Sequence, residues 1–258
     1  MKRLPILISI PHGGTSIPEE LARKVRLKES DILADIDIYT PDLFDIGKQV
    51  QFILKTDIAR TFIDLNRSPV DLPNSNPDGV VKTTTCLGVP IYNADFEINR
   101  NLVSSLLDRY YHSYHGRIRK ALQTPGLKLA LDCHSMLPYG PKIGPDCGQS
   151  RPLICLGNNF NKSSSKGDIK RLAACLRHSF RIPINEVTYN TPFSGGYITR
   201  RYGNRPIPWI QIELNRQFYL DELDIEHGKF VADSARLLEL NGKFAEAVSE
   251  FINSKALH

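Results

Sequence analysis

The feature that most constrains this chain is residues 127–136, LKLALDCHSM. The stretch begins as an apolar run, Leu127, Leu129, Ala130 and Leu131, and ends abruptly in Asp132, Cys133, His134 and Ser135. A buried strand that delivers ligand-capable side chains at its carboxyl end is where an open α/β sheet builds its site. Residues two apart on an extended backbone share a face, so Asp132 and His134 point one way and Cys133 the other. An ordinary core strand running into a polar loop would look the same. The working expectation is that His134 binds a metal and that the rest of a site converges on it.

The flanking chain supplies the sheet for such a strand. Residues 4–10, LPILISI, read as a buried strand followed by the loop PHGGTSIP, rather than as a secretory signal, because no small-residue cleavage site follows. A short helix is expected over Glu19–Val25, then an acidic connector, LKESDILADID. Thr40 could cap a helix from Pro41 towards Val50. Phe52–Lys55 and Thr61–Leu65 read as strands. Residues 68–95, rich in Pro, Asn, Asp and Gly, form a loop too long for a simple connection. Ile98, Leu102, Leu106, Tyr110, Tyr114 and Ile118, at spacing four, predict a long amphipathic helix over 96–122. After the central strand come a Pro/Gly loop (138–151), a strand at Pro152–Leu156, a helix at Asp168–Phe180 and irregular segments through Arg200. A strand, WIQIEL, follows at Trp209–Leu214, and a closing helix at Phe230–Phe251. Strands alternating with helices predict one domain over 1–258, a three-layer αβα unit around a mixed, largely parallel sheet.

Composition removes several function classes. No run approaches the roughly 20 apolar residues of a membrane span. The net charge of +5 is scattered rather than clustered with aromatics, which argues against a nucleic-acid surface. Five cysteines, at 86, 133, 147, 155 and 175, are odd in number, widely spaced and without a CxxC pair. That usage predicts reduced thiols in a cytoplasmic protein.

Chemistry-bearing residues gather at strand ends. His12 follows the first strand as His134 follows the central one. A catalytic zinc usually takes three protein ligands and keeps an open position. The third could be Asp35 or Asp37 in the acidic connector, which could also be solvated loop charges or a helix cap. Gly13 and Gly14 would allow close backbone approach to a ligand or simply make a turn. Glu213 ends an apolar strand, where a carboxylate could act as general base or pair with Arg216 or Arg200. Asn66 and Arg67 close another segment. Arg60, Arg67 and Arg200 are candidates for gripping a small anionic substrate bidentately. Cys133 next to His134 makes a poor nucleophile dyad because adjacent strand residues face oppositely.

Together these segments resemble the N-formylglutamate amidohydrolase family. The matching stretches are PHGGTSIP (11–18), DIDIYTPDLFD (35–45), ARTFIDLNRSP (59–69), YHSYHGRI (111–118), LDCHSM (131–136), GGYITRRYG (195–203) and IQIELNRQFYLDE (210–222). The resemblance implies a zinc-exopeptidase-like fold related to carboxypeptidases, with one catalytic Zn2+ at strand ends. It implies His12 and His134 as ligands. The carboxypeptidase HxxE pattern is not met, since Thr15 stands at the E position, and the resemblance points to Asp37 rather than Asp35 as the third ligand. Glu213 falls on the family's late glutamate, a base that becomes a proton donor. Asn66 and Arg67 fall on a carboxylate-binding pair, and Arg60 and Arg200 on recurring arginines. His115 matches a family histidine, with Ser113 in place of a proline, and carries no assigned role. The implied reaction is hydrolysis of an N-acyl amino acid, N-formylglutamate to formate and glutamate. The segment NSNPDGVVKTTTC departs from the pattern associated with that substrate and leaves another N-acyl amino acid open. The alternative is a non-catalytic or differently specific member of the same fold that binds an anion or a peptide.

Overall fold

The computed structural model describes residues 3–141 and 145–254. Positions 142–144 of the expected 138–151 loop lie outside the described residues, as do the ends of the expected 1–258 span. Strand β1 (Leu4–Ile10) leads to a single 3-10 turn at Glu19–Leu21, shorter than the helix expected there, and then to helices α1 (Glu29–Asp35) and α2 (Thr40–Phe44). Strand β2 (Val50–Lys55) follows, then α3 (Arg100–Leu106), a π-helical segment (Leu107–His112) and α4 (Ser113–Leu122). The remaining elements are β3 (Leu129–Met136), β4 (Ile154–Gly157), α5 (Lys166–Phe180), β5 (Val187–Tyr189), α6 (Tyr197–Tyr202), β6 (Trp209–Asn215), α7 (Glu222–Glu226) and α8 (Ser234–Asn253).

The six strands form one sheet in the order β2-β1-β3-β6-β4-β5. The first four run parallel; β4 pairs antiparallel with β6 and parallel with β5. Every residue of β3 and β6 is buried. Central strands this apolar on both faces require cover on both sides. Helices α2, α5 and α8 cover one face, while α4 and α6 cover the other. The three-layer αβα expectation is met. The chain leaves β1 towards β2 and returns past it to β3, so β1 and β3 flank the switch point, and the crevice beyond their carboxyl ends is open to a ligand. Among the described residues no helix is long and apolar enough to cross a membrane.

Four local departures have physical causes. The acidic connector folds into α1: the Lys28 amide donates to Asp31 Oδ2 at 2.9 Å, and Ile32 and Asp35 are buried. Seven residues are too few for a period to show. Helix α2 stops at Phe44 because Gly47, at φ 59°, turns the chain, and Thr40 is not its cap; its hydroxyl donates to the Asp37 carbonyl at 2.7 Å. Residues 61–65 are not a strand. Phe62 N donates to Ala59 O in a turn, and Asp64 N and Lys82 N pair locally with Val80 O and Phe62 O. The apolar side chains of this segment are buried, which is why its composition resembles a strand. In the long helix, the π segment inserts one residue. The buried stripe therefore steps from Leu106 to Tyr111 rather than to Tyr110, then on to Tyr114, His115 and Ile118.

The long 68–95 segment is fastened to α1 by a buried ion pair. Lys82 Nζ lies 3.0 Å from Asp35 Oδ2 and 2.8 Å from Asp78 Oδ1, and the Lys82 and Asp35 side chains are both 0% exposed. Burial alone would raise the Asp35 carboxyl; Lys82, and then Arg60, draw it down to about 2. Removing one member of such a pair strands a buried charge. Lys82→Met is expected to cost about 3–5 kcal/mol in urea unfolding at pH 7, and Asp35→Leu in that background to recover much of the loss. A single-variant cost below about 1 kcal/mol would show that the pair does not hold the segment.

Candidate metal centre and substrate cavity

Three elements bring the histidines and the aspartate together. His12 leaves the end of β1, His134 stands near the end of β3, and Asp37 lies between α1 and α2. The Asp37 amide donates to His12 O at 3.1 Å, and Thr40 N and Oγ1 both donate to Asp37 O. His12, Asp37 and His134 are all buried, each offering a ligand atom, and these atoms lie within 4.8 Å of one another. Asp35, the other acid considered for this place, is held by Lys82 and the Cys86 amide.

The outward nitrogens of both rings are also partnered. His12 Nε2 lies 2.7 Å from Asp64 Oδ1, and His134 Nε2 lies 3.3 Å from Asp132 Oδ1. At His12 the carboxylate against Nε2 favours the tautomer with its hydrogen on that nitrogen, leaving the Nδ1 lone pair free, whereas Nε2 of His134 is shared between Asp132 and the Asn66 amide nitrogen at 3.0 Å. Nδ1 of His12 and of His134 face the same Asp37 oxygen, Oδ2, at 3.3 and 2.9 Å. Three electron-pair donors thus converge in a buried space, which a cation between them would stabilise. Two imidazoles and one carboxylate form the donor set of a catalytic divalent-metal site. Without a metal, protons do part of that work. Burial would lower His134, but Asp132 and Asp37 raise it well above its ordinary value. Burial would raise Asp37, and the hydrogen bonds from His12 and His134 hold it well below the carboxylate range.

Glu213 is the register partner of His134 on the neighbouring parallel strand, so the two side chains share a face. Burial pushes Glu213 up to about 7, against the attraction of His134 and with the repulsion of Asp37 adding to it. Gln211, two residues earlier on that face, donates to Glu213 Oε1 at 2.7 Å. A cavity of about 450 Å³ opens above this group, lined among others by His12, Asp37, His134 and Glu213, and by Arg60, Arg67 and Arg200.

The arginines stand at different depths. Arg60 is bound to Asp64 at 3.1 Å, and Arg67 to Asp78 at 2.8 Å. Arg200 is exposed at the rim and has no acidic partner within 4 Å among the described residues. Asn66, expected to grip substrate, lines the same cavity and is also bonded within the protein. Its side-chain nitrogen donates to Asp132 Oδ2 at 3.1 Å and touches His134 Nε2 at 3.0 Å, while its oxygen accepts from Ile198 N at 2.7 Å. Both amide hydrogens are directed into the protein. Gly196 is a glycine for this reason: a Cβ there would lie 2.3 Å from Asn66 Nδ2. Gly13 and Gly14 give close approach not to a ligand but to Thr40 and Pro41 and to the Asp57 backbone. Cys133 faces away from the site, and burial raises its thiol well above its ordinary value.

Sequence reasoning missed Asp64 and Gln211. The signal for Asp64 was a lone acid inside the apolar run FIDL, which must find a partner once buried. The signal for Gln211 was the strand period, which sets it on the Glu213 face. His115 is buried beneath the site. Its Nε2 donates to Leu65 O and its Nδ1 accepts from Tyr202 Oη, both at 2.9 Å.

Comparison with known proteins follows this geometry. The family model described as N-formylglutamate amidohydrolase matches residues 4–220. The chain is 27% identical over 231 residues to an N-formylglutamate deformylase of Pseudomonas putida, covering 86% of this chain and 84% of the relative. It is 28% identical over 230 residues to one of Pseudomonas aeruginosa, covering 85% and 84%. Its fold is similar to the crystal structure of an N-formylglutamate amidohydrolase from Ralstonia eutropha, with TM-score 0.75 at 19% identity over 96% of this chain and 94% of that one. A gene product of Agrobacterium tumefaciens gives TM-score 0.67 at 17% identity, over 96% and 90%.

His115 makes a measurable contribution to acid sensitivity. Burial, only partly opposed by the Leu65 carbonyl, pushes the imidazole down from 6.5 to about 4. The unfolded chain therefore takes up a proton there before the folded one does. The resulting stability is complete above about pH 6.5 and is lost as pH falls through about 4, a term on the order of 3 kcal/mol. Unfolding measured from pH 7 to pH 4 should show a shallower slope for His115→Gln than for wild type. Identical slopes would mean that His115 does not titrate in this window.

Proposed function

The chain belongs to the N-formylglutamate amidohydrolase family, and from that premise we propose that it hydrolyses the amide bond of an N-acyl amino acid, N-formylglutamate before others, to the free acid and the amino acid. The observation that carries this reading is the convergence of His12, Asp37 and His134 beside Glu213 at the floor of a cavity bordered by arginines.

In this reading His12 Nδ1, His134 Nδ1 and a carboxylate oxygen of Asp37 hold one Zn2+. A divalent ion held there supplies Lewis-acid polarisation of an amide carbonyl and lowers the pKa of water to about 7. Asp64 fixes the His12 ring by taking its Nε2 hydrogen, and Asp132 and Asn66 together bracket Nε2 of His134, so that both Nδ1 atoms point inward. Glu213 is the proton carrier. Buried beside the three ligand residues, it can take a proton from the attacking water as the C–O bond forms, then return it to the leaving nitrogen as the C–N bond breaks. Gln211 holds one Glu213 oxygen, leaving the other for the proton.

Arg67 and Arg200 bind the substrate's carboxylates, with Arg60 setting the charge behind them. Among the described residues Arg200 has no acidic partner to give up, whereas Arg60 and Arg67 are paired, and so it meets an anion at least cost. Asn66, expected to share in that grip, lines the cavity and also braces the Asp132–His134 pair. The free cysteines fit a reducing, cytoplasmic setting.

Purified protein should carry about one zinc per chain, and His134→Ala should lose it; full zinc in that variant would refute the ligand assignment. Glu213→Gln should keep the metal and lose turnover at least about a hundredfold. A panel of N-formyl, N-formimidoyl and N-acetyl amino acids identifies the substrate, and total inactivity of the zinc-loaded protein across it would overturn the reading. On the best substrate, Arg200→Ala should raise KM about ten- to a hundredfold, the weight of one charge-assisted contact.

A further inference from the structure

We infer that Tyr111 and His115 are positioning residues that clamp the backbone of residues 65–67 and thereby hold Asn66 against the metal-binding histidine His134. The inference deepens the proposed function, since it rests on His134 being a ligand there.

Three consecutive carbonyls of this segment are each bonded from a different place. Leu65 O accepts from His115 Nε2 at 2.9 Å, Asn66 O from Tyr197 N at 3.2 Å, and Arg67 O from Tyr111 Oη at 2.8 Å. An irregular segment has no ladder to fix it, so these bonds set where its side chains point. Asn66 then touches Asp132 and His134 on one side and Ile198 N on the other. Its reach depends on the position of its own backbone, and a sub-ångström shift would release contacts of 3.0–3.1 Å.

The clamp exists because the helix contains a π turn. With an uninterrupted four-residue spacing, Tyr110 would follow Leu106 into the core. The inserted residue puts Tyr111 there instead, with His115 one turn on along the same face. Their rings pack at a centroid distance of 4.2 Å. Donation to Leu65 O commits the His115 hydrogen to Nε2, so Nδ1 can accept from Tyr202 on α6, the helix that also carries Arg200. One imidazole thus ties the Asn66–Arg67 segment to the Arg200 helix. A purely structural histidine needs a satisfied ring; this one is satisfied by the two elements that present the site's polar side chains.

The test uses the zinc-loaded full chain and three variants, Tyr111→Phe, His115→Leu and His115→Gln. Zinc affinity is read by competition with a chromophoric chelator. Hydrogen exchange is read at the Tyr197 and Ile198 amides, which donate to Asn66, with β3 amides as the internal reference. Tyr111→Phe and His115→Leu should weaken zinc binding about tenfold, the usual weight of a partner behind a ligand. They should also speed exchange at 197 and 198 while leaving β3 unchanged. His115→Gln keeps a donor and an acceptor and should stay near wild type. Zinc affinity within twofold of wild type in both deletion variants would overturn the proposal, as would exchange rising equally in β3. Should His115→Leu fail to fold, Tyr111→Phe, which removes one hydroxyl, decides alone. Should wild type bind no zinc, the metal reading fails, and the exchange at 197 and 198 still decides the clamp.

Discussion

Everything at the site follows from the need to compensate buried negative charge. Asp37, Asp64, Asp132 and Glu213 are each no more than 5% exposed; Asp132 and Glu213 stand on the parallel strands β3 and β6, Asp37 lies between α1 and α2, and Asp64 lies in the irregular segment after β2. Carboxylates in such surroundings either protonate or find positive charge and hydrogen-bond donors. Asp64 takes His12 and Arg60, and Asp132 takes Ser9, Asn66, Thr199 and His134. Asp37 takes the inner nitrogens of both histidines. Glu213 takes a hydrogen bond from Gln211 beside the His134 imidazole, and burial holds it up near neutrality. Differences in compensation thus separate the roles of four chemically similar groups. One pairs with the rings from inside, two pair with them from outside, and one is left able to exchange a proton.

The architecture makes that crowding possible without unfolding the core. Asp132, His134, Gln211 and Glu213 share one face of β3 and β6, while the other face is apolar apart from Ser135 at the end of β3. Ser9, Asp132 and Gln211 align across three parallel strands and form a polar row beneath the His134–Glu213 pair. The segments that close over this row are irregular, and each is fastened by a buried charge or hydrogen bond. Lys82 holds the 68–95 segment, His115 and Tyr111 hold residues 65–67, and Gln211 accepts from the Gly196 amide. Irregular chain is thereby kept in one position where regular hydrogen-bond ladders stop.

Charge also grades outward from the His12, Asp37 and His134 group. Arg60 and Arg67 are neutralised by Asp64 and Asp78, and Arg200 at the rim meets solvent. A small anion approaching the cavity would meet the free guanidinium before the paired ones. The three arginines looked equivalent in the sequence because each follows an ordinary motif residue. Their pairing, which depends on acids that fold in from elsewhere, distinguishes them.

The sequence by itself determined the strands that carry the site and the face each residue takes. A long apolar run and a two-residue period are local properties, and they placed His134 with Asp132, set Cys133 apart and put Glu213 at a strand end. Motif order was enough to name the family. Only the tertiary structure separates Asp35 from Asp37, two residues apart in one acidic run: a lysine 47 residues beyond Asp35 claims it, while Asp37 sits between the two histidines. Only the structure could find Asp64, turn Asn66 inward, or move the helix stripe from Tyr110 to Tyr111, because a one-residue π insertion leaves no trace in a pattern of apolar spacing. The physical reason is the same in each case. Burial and backbone period act through neighbours in the chain, whereas charge compensation and hydrogen-bond satisfaction are settled by groups that meet only after the chain has folded.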